Sequence, residues 1–276
     1  MKPTADSIVS GDAVLYEPAG SAGVGLLRLN RPANRNSMTA ELLDGFALAH
    51  QAARNDANLR CLVVTGSGRC FCAGADFHAA VQRPLAQEGA ASRALPHERS
   101  FAMYEPFLAL LDMPVPIVGA LNGHAVGGGF GLALVCDIRV GAREAKYGAN
   151  FAKLGLHPGM AISYLLPRVV GPQRAALMLL TGELLDGATA ADWGLLAQAV
   201  ATEAVPATAW AIAANIAANA PLAVRSMTRA LRAHRDAAFA AARAEAYAQA
   251  ESLTTDDAKE GIAALLGKRT PQFRGR

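Results

Sequence analysis

Gly74-Ala75-Asp76-Phe77 ends one buried-looking apolar run, and Gly127-Gly128-Gly129 opens a second one further along the chain. Small residues let a backbone approach a ligand closely. A helix that starts at the triple glycine presents free N–H groups and the positive end of its dipole. Two such donors aimed at one carbonyl oxygen stabilise an enolate or a tetrahedral oxyanion. The chemistry these segments suggest is polarisation of an acyl carbonyl by backbone amides.

The elements that must position those amides are short strands. Cys61-Leu62-Val63-Val64-Thr65-Gly66 is apolar and β-branched and stops at a glycine, which predicts a buried strand before the first segment. The run 116–126 predicts strand then turn before the second, and Phe130, Leu132, Ala133 and Leu134 predict a buried helix after it. Strand-like runs at 24–29, 59–65, 115–121 and 138–141 alternate with helical patterns, the signature of an α/β fold of stacked β–β–α units around parallel sheets. Beyond about residue 205 the pattern is almost purely helical, at 207–220, 221–235 and 236–253, with Pro221 suited to a first helical turn. The chain therefore divides into a core, 1–205, and a helical cover, 206–276.

With 276 residues, 52% of them hydrophobic and 18% charged, the chain buries a large core. A net charge of +3 without a basic run argues against nucleic acid. Cys61, Cys70, Cys72 and Cys136 lie in apolar segments, lack Cys-x-x-Cys spacing and follow no signal-like leader, so reduced core thiols in a cytoplasmic protein are expected. No apolar stretch is long enough for a membrane helix. No metal-ligand pattern is apparent.

Three stretches, 31–39, 63–76 and 122–129, resemble in order and spacing the crotonase (enoyl-CoA hydratase/isomerase) superfamily. The likeness continues through Cys136-Asp137-Ile138-Arg139, Leu165-Leu166-Pro167-Arg168, Leu180-Thr181-Gly182-Glu183 and Asp256-Asp257-Ala258-Lys259 to Lys268-Arg269-Thr270-Pro271, nearly the whole chain from about Val14. The resemblance implies a spiral of β–β–α turns whose C-terminal helices mediate a homotrimer or a dimer of trimers. It implies a thioester oxyanion hole on the amides of Ala75 and Gly128, with coenzyme A entering as part of the substrate and no permanently bound cofactor. CoA contacts would fall on Ala33, Arg35, Ala73, Ala75, Asp76, Phe77, His78 and Gly128, with Lys268 and Arg269 meeting the phosphates. The alanine-rich stretch 237–250 would suit close helix packing at a subunit interface.

Against that pattern the acid–base set is missing. The two glutamates of family hydratases would fall on Gly131 and Phe151, and the acid of one isomerase branch on Gly159; none of these can transfer a proton. A general acid or base contributes about 10²–10⁴ in rate, so ordinary hydration is not expected. His157, in the Gly159 loop, is the candidate base at neutral pH. Glu98 and Tyr104 are alternatives, although a solvated helix face accounts for both. His124 reads as a buried histidine bonded to backbone, Asp76 as a loop brace, Arg143 and Glu144 as surface charges, and Tyr147 and Asn150 as possible holders of a polar group. Three readings follow: an atypical enoyl-CoA hydratase/isomerase-like enzyme, a non-catalytic acyl-CoA binder, and a hydrolase of non-CoA diketones.

Overall fold

The computed structural model describes residues 12–76 and 94–276. Phe77 and His78, two of the expected CoA contacts, lie outside the described residues.

The first turn is a hairpin, β1 (Val14–Glu17) with β2 (Val24–Leu29), followed by helix α1 (Ala40–Asn55). Thr39 caps α1 by accepting the Leu42 N–H, and its inner face buries Leu42, Phe46, Ala49 and Ala53. Next come β3 (Cys61–Gly66), β4 (Cys70–Cys72) and helix α2 (Pro96–Leu108), then β5 (Ile117–Leu121), β6 (His124–Val126) and α3 (Gly128–Val135). A fourth turn has β7 (Ile138–Ala142), β8 (Lys146–Gly148), α4 (Ile162–Val170) and α5 (Pro172–Thr181). The pattern closes with β9 (Leu185–Asp186), α6 (Gly187–Asp192) and β10 (Gln198–Val200).

The strands sort into two sheets. Six form the order β1-β2-β3-β5-β7-β10, parallel except for β1, and four form β4-β6-β8-β9, with β9 antiparallel. After the first hairpin, the turns β3–β4, β5–β6 and β7–β8 thus place one strand in each sheet before a helix. Every residue of β3 and β5 is buried, which explains why these strands are continuously apolar rather than alternating. Helix α3 is buried on all sides.

The helical tail comprises α7 (Val205–Ala217), α8 (Pro221–Leu231), α9 (Arg235–Ser252) and α10 (Asp256–Leu266). Pro221 occupies the first turn of α8, as expected. Val205, Ala209, Ala213 and Ala217 give α7 a small-residue face against the larger sheet. Ala238, Ala242 and Ala246 do the same for α9, which packs on α2 and α4 of its own chain. The alanines of this stretch therefore serve close packing within the subunit. One continuous apolar core runs from β1 to α10.

Several single-residue expectations are settled by packing. All four cysteines are buried and unpaired; burial pushes the thiols of Cys61, Cys72 and Cys136 up to about 12 and that of Cys70 up to about 11. His124 is exposed rather than buried, though its Nδ1 does accept a backbone bond from Lys146 N–H (2.9 Å). It sits at the start of β6, where the strand leaves the core. Tyr147 is buried and donates to the Ala142 carbonyl (2.8 Å), which turns it away from any ligand. Arg143 and Glu144 are exposed, as expected.

Candidate active site

The two segments singled out in the sequence meet. From the end of β3 the chain runs through β4 to Ala73-Gly74-Ala75, and from β5 through β6 to Gly127-Gly128. Gly74 has φ +79, and a methyl group there would stand 2.7 Å from the Val126 carbonyl oxygen and 2.9 Å from the Gly128 nitrogen. Only glycine tolerates both that backbone conformation and that approach. Gly127, with φ 58 and ψ −125, turns the chain into α3. Among the described residues, no carbonyl accepts from the amides of Ala75 or Gly128. Ala75 is exposed, and Gly128 lies at the positive end of α3.

A strap, residues 35–38, holds the first segment from outside. Ala73 N–H donates to the Arg35 carbonyl (3.1 Å), Met38 N–H donates to the Gly74 carbonyl (2.8 Å), and Met38 bridges to Ala75 in parallel. The Met38 thioether occupies the space that a side chain at Gly128 would enter. Two buried asparagines fix the connection, and neither was singled out in the sequence. The Asn36 carboxamide donates to the carbonyls of Ser67 (3.0 Å), Cys70 (2.8 Å) and Phe71 (3.1 Å) and accepts from Arg31 N–H (2.8 Å). Asn122, on the way to Gly128, accepts from Gly66 N–H (3.0 Å) and donates to the Gly68 carbonyl (2.9 Å). The left-handed φ of Asn36 (54°) suits asparagine, which adopts that conformation more readily than most residues.

Of the expected CoA contacts, Arg35, Ala73, Ala75 and Gly128 are thus brought together, with Ala33 and Asp76 on neighbouring backbone. Lys268 stands exposed after α10, and among the described residues none of its contacts reaches this cluster. Its neighbour Arg269 is held by both oxygens of Glu260 (2.5 and 2.7 Å), which draws that carboxyl down to about 2.

The three positions without an acid are filled by other groups. A side chain at Gly131 would start inside Met160, and one at Gly159 would start on the hydroxyl end of Tyr104. The Phe151 ring lies against Gly127, 3.8 Å from where its Cβ would be. Tyr104 is only 4% exposed, which corrects the reading of a solvated face; its hydroxyl bonds the Gln249 side chain, and burial together with the charge of Glu245 raises its pKa. Glu98 is no pocket acid either: its carboxylate accepts the Leu95 N–H (2.7 Å) at the start of α2.

His157 is half-buried, and α9 holds its backbone. Its N–H donates to Ser252 Oγ (3.1 Å), its carbonyl accepts from Gln249 Nε2 (3.1 Å), and its ring Nδ1 lies 2.8 Å from the Pro158 carbonyl. Glu245, one turn before Gln249, accepts from Ser163 N–H (2.8 Å) and Oγ (2.5 Å). At 2% exposure this carboxyl is pushed up, first by burial, against its bonds to Ser163; its Oε2 has no partner among the described residues. Glu245, Gln249 and Ser252 form a polar stripe on an alanine helix. Their i, i+4, i+7 spacing was a visible signal that passed unused.

The family model of enoyl-CoA hydratase/isomerase matches residues 19–276, and the chain belongs to that family. Its fold is the crotonase fold: a crystal structure of an enoyl-CoA hydratase/isomerase from Pseudoalteromonas atlantica T6c superposes with a TM-score of 0.82 at 28% identity, covering 95% of this chain and 100% of the other. The 1,2-epoxyphenylacetyl-CoA isomerase of Escherichia coli is 35% identical over 92% of this chain and 96% of its own length. The 2,3-dehydroadipyl-CoA hydratase of the same organism is 34% identical over 91% and 95%. Among the described residues there is no group of side chains able to hold a metal ion, and no single helix long and apolar enough to cross a membrane.

Proposed function

We propose that this protein acts on acyl-CoA thioesters through an oxyanion hole formed by the Ala75 and Gly128 amides, without the two-glutamate hydration of crotonyl-type substrates. What supports this reading is that the Ala75 and Gly128 amides have no carbonyl acceptor among the described residues, that Gly74 packs against Gly128, and that the positions where the family carries acids hold Gly131, Phe151 and Gly159. A donor of this kind is worth about 3–4 kcal/mol in the transition state. With the carbonyl so polarised, protons at C2 are acidified, and a single base suffices to move one along the acyl chain. Proton-shift isomerisation therefore fits better than addition of water, which needs one group to activate water and one to protonate carbon. His157 is the base this reading assigns, and Arg35, Ala73, Asp76, Phe77, His78, Ala33 and Lys268 the CoA contacts.

A second reading, an acyl-CoA binder without catalysis, is favoured by Met160 and Tyr104, whose side chains fill the places next to Gly131 and Gly159. Calorimetric titration with a saturated acyl-CoA, followed by a crotonyl-CoA hydration assay and a screen of enoyl isomers, separates the two. Binding with isomerisation supports the first, binding without turnover the second. No affinity for any CoA thioester removes both and leaves the diketone hydrolase.

We further infer a cytoplasmic homotrimer or dimer of trimers, with 206–276 as the assembling region. Met227 and Leu231 on α8 and Trp210 on α7 are exposed apolar side chains that such an assembly would cover. Sedimentation at several concentrations tests it.

A further inference from the structure

At the opposite end of the larger sheet from Gly128, a polar cavity of about 240 Å³ lies between the start of β2 and β3 and the start of α8. It is lined by the 3₁₀ turn Gly20–Ala22, by Asn58 and by two arginines, Arg60 and Arg225. Neither arginine has a carboxylate within 4 Å among the described residues. Arg60 lies across Gly23, where a methyl group would come within 3.0 Å of its Cδ, and reaches the Ala217 carbonyl with one Nη (3.2 Å). Arg225 is bound less well still: its Nε is buried and has no acceptor among the described residues. Asp56, the nearest carboxylate in sequence, already accepts from Tyr16 OH (2.7 Å), Ala19 N–H (2.8 Å) and Asn58 N–H (2.9 Å).

The wall that carries Arg225 is the start of α8. Ala220 provides no side-chain cap to α8, and Pro221 has no N–H; the first intrahelical bond runs from Val224 N–H to the Ala220 carbonyl (3.1 Å). Two guanidinium groups without a carboxylate partner, one buried guanidinium N–H without an acceptor among the described residues and an uncapped helix start share one polar cavity. Each calls for an acceptor, and together they call for one of high charge with several oxygens, since guanidinium groups match the paired oxygens of a phosphate.

We propose that this cavity is a phosphate-binding site, distinct from the acyl-CoA site, with Arg60 and Arg225 as its ligands. The oxyanion is either inorganic phosphate or the phosphate of a nucleotide. The test is calorimetric titration of the full chain, in low-salt buffer free of phosphate, with inorganic phosphate and separately with adenosine 3′,5′-bisphosphate. A saturable isotherm is expected, with one site per chain for inorganic phosphate and, for the bisphosphate, a component beside any binding at the acyl-CoA site; this binding is weakened roughly tenfold or more in Arg225→Met and in Arg60→Met. Arg225→Met breaks no hydrogen bond seen here, so its fold should be kept; Arg60→Met serves as the second variant. Equal affinity for the two probes assigns the free anion, and tighter, variant-sensitive binding of the bisphosphate assigns a nucleotide. No saturable binding of either probe overturns the proposal. So does binding that both variants leave unchanged, which would place the bisphosphate at the acyl-CoA site and leave that reading standing.

Discussion

The two sides of the acyl site are built from different material. On the proposed oxyanion side the work falls to backbone: Ala73, Gly74 and Ala75 strapped by residues 35–38, the loop behind them tied by Asn36 and Asn122, and Gly128 at a buried helix start. On the proton-transfer side the work would fall to side chains, and there Met160, Tyr104 and Phe151 take the available space while α9 grips the loop from behind. Backbone donors depend on a path that small residues preserve. Proton-transfer groups depend on side-chain identity, and one exchange removes them without disturbing the path.

The sharpest way to break this contrast is Gly74→Ala. The added methyl meets the Val126 carbonyl and the Gly128 nitrogen at a φ of +79, so the two segments must part. Any thioester turnover should fall by about 10²–10³, the effect of losing one oxyanion donor. Normal turnover in a folded Gly74→Ala protein would falsify the placement of the hole.

On the other side, His157→Ala should lower kcat by about 10²-fold while leaving saturated acyl-CoA binding nearly unchanged. The loop should stay in place, because Ser252 and Gln249 hold its backbone rather than the imidazole. An unchanged kcat in the mutant would transfer the role of base elsewhere.

Restoring the hydratase carboxylates sharpens the comparison from the side-chain direction. Gly131→Glu with Phe151→Glu should give crotonyl-CoA hydration well below the usual range of about 1–10³ per second, since the new side chain at 131 collides with Met160. Adding Met160→Ala should raise the rate above that of the double mutant. If it does not, crowding is not what keeps an acid out of this position.

The smallest effect concerns Glu245. Its folded pKa lies above the unfolded one, chiefly from burial, so its contribution to stability is complete below the unfolded value and is lost as pH rises through the folded value. Glu245→Gln keeps an acceptor for Ser163 and removes the ionisation. Its melting temperature should gain on that of the wild type as pH rises from about 5 to about 9, by about 2–4 °C for each kcal/mol relieved. A constant difference across that range would mean that Glu245 titrates as an ordinary carboxyl.

Much of the fold was legible in the residues. The apolar runs 61–66 and 117–121 are strands buried on both faces, Pro221 opens a helix, and the triple glycine opens α3. Such features depend on local periodicity and on backbone freedom, both written in neighbouring residues. The meeting of Gly74 with Gly128 could be expected from the family resemblance, although only the packed chain shows that a single methyl separates tolerance from collision. What the sequence could not contain was the occupancy of the empty acid positions. Tyr104 against Gly159, Met160 against Gly131 and Glu245 on Ser163 join residues far apart in the chain, and their burial follows from how α9 packs on α2 and on α4. Tyr104 looked like a solvated helix residue because amphipathic spacing tells which side of a helix is apolar, not which long-range neighbour will cover the rest. Sequence alone determined the chain's path and its small-residue cradle; tertiary packing decided which side chains fill the space beside Gly131 and Gly159, because that depends on volumes brought together only when distant helices close.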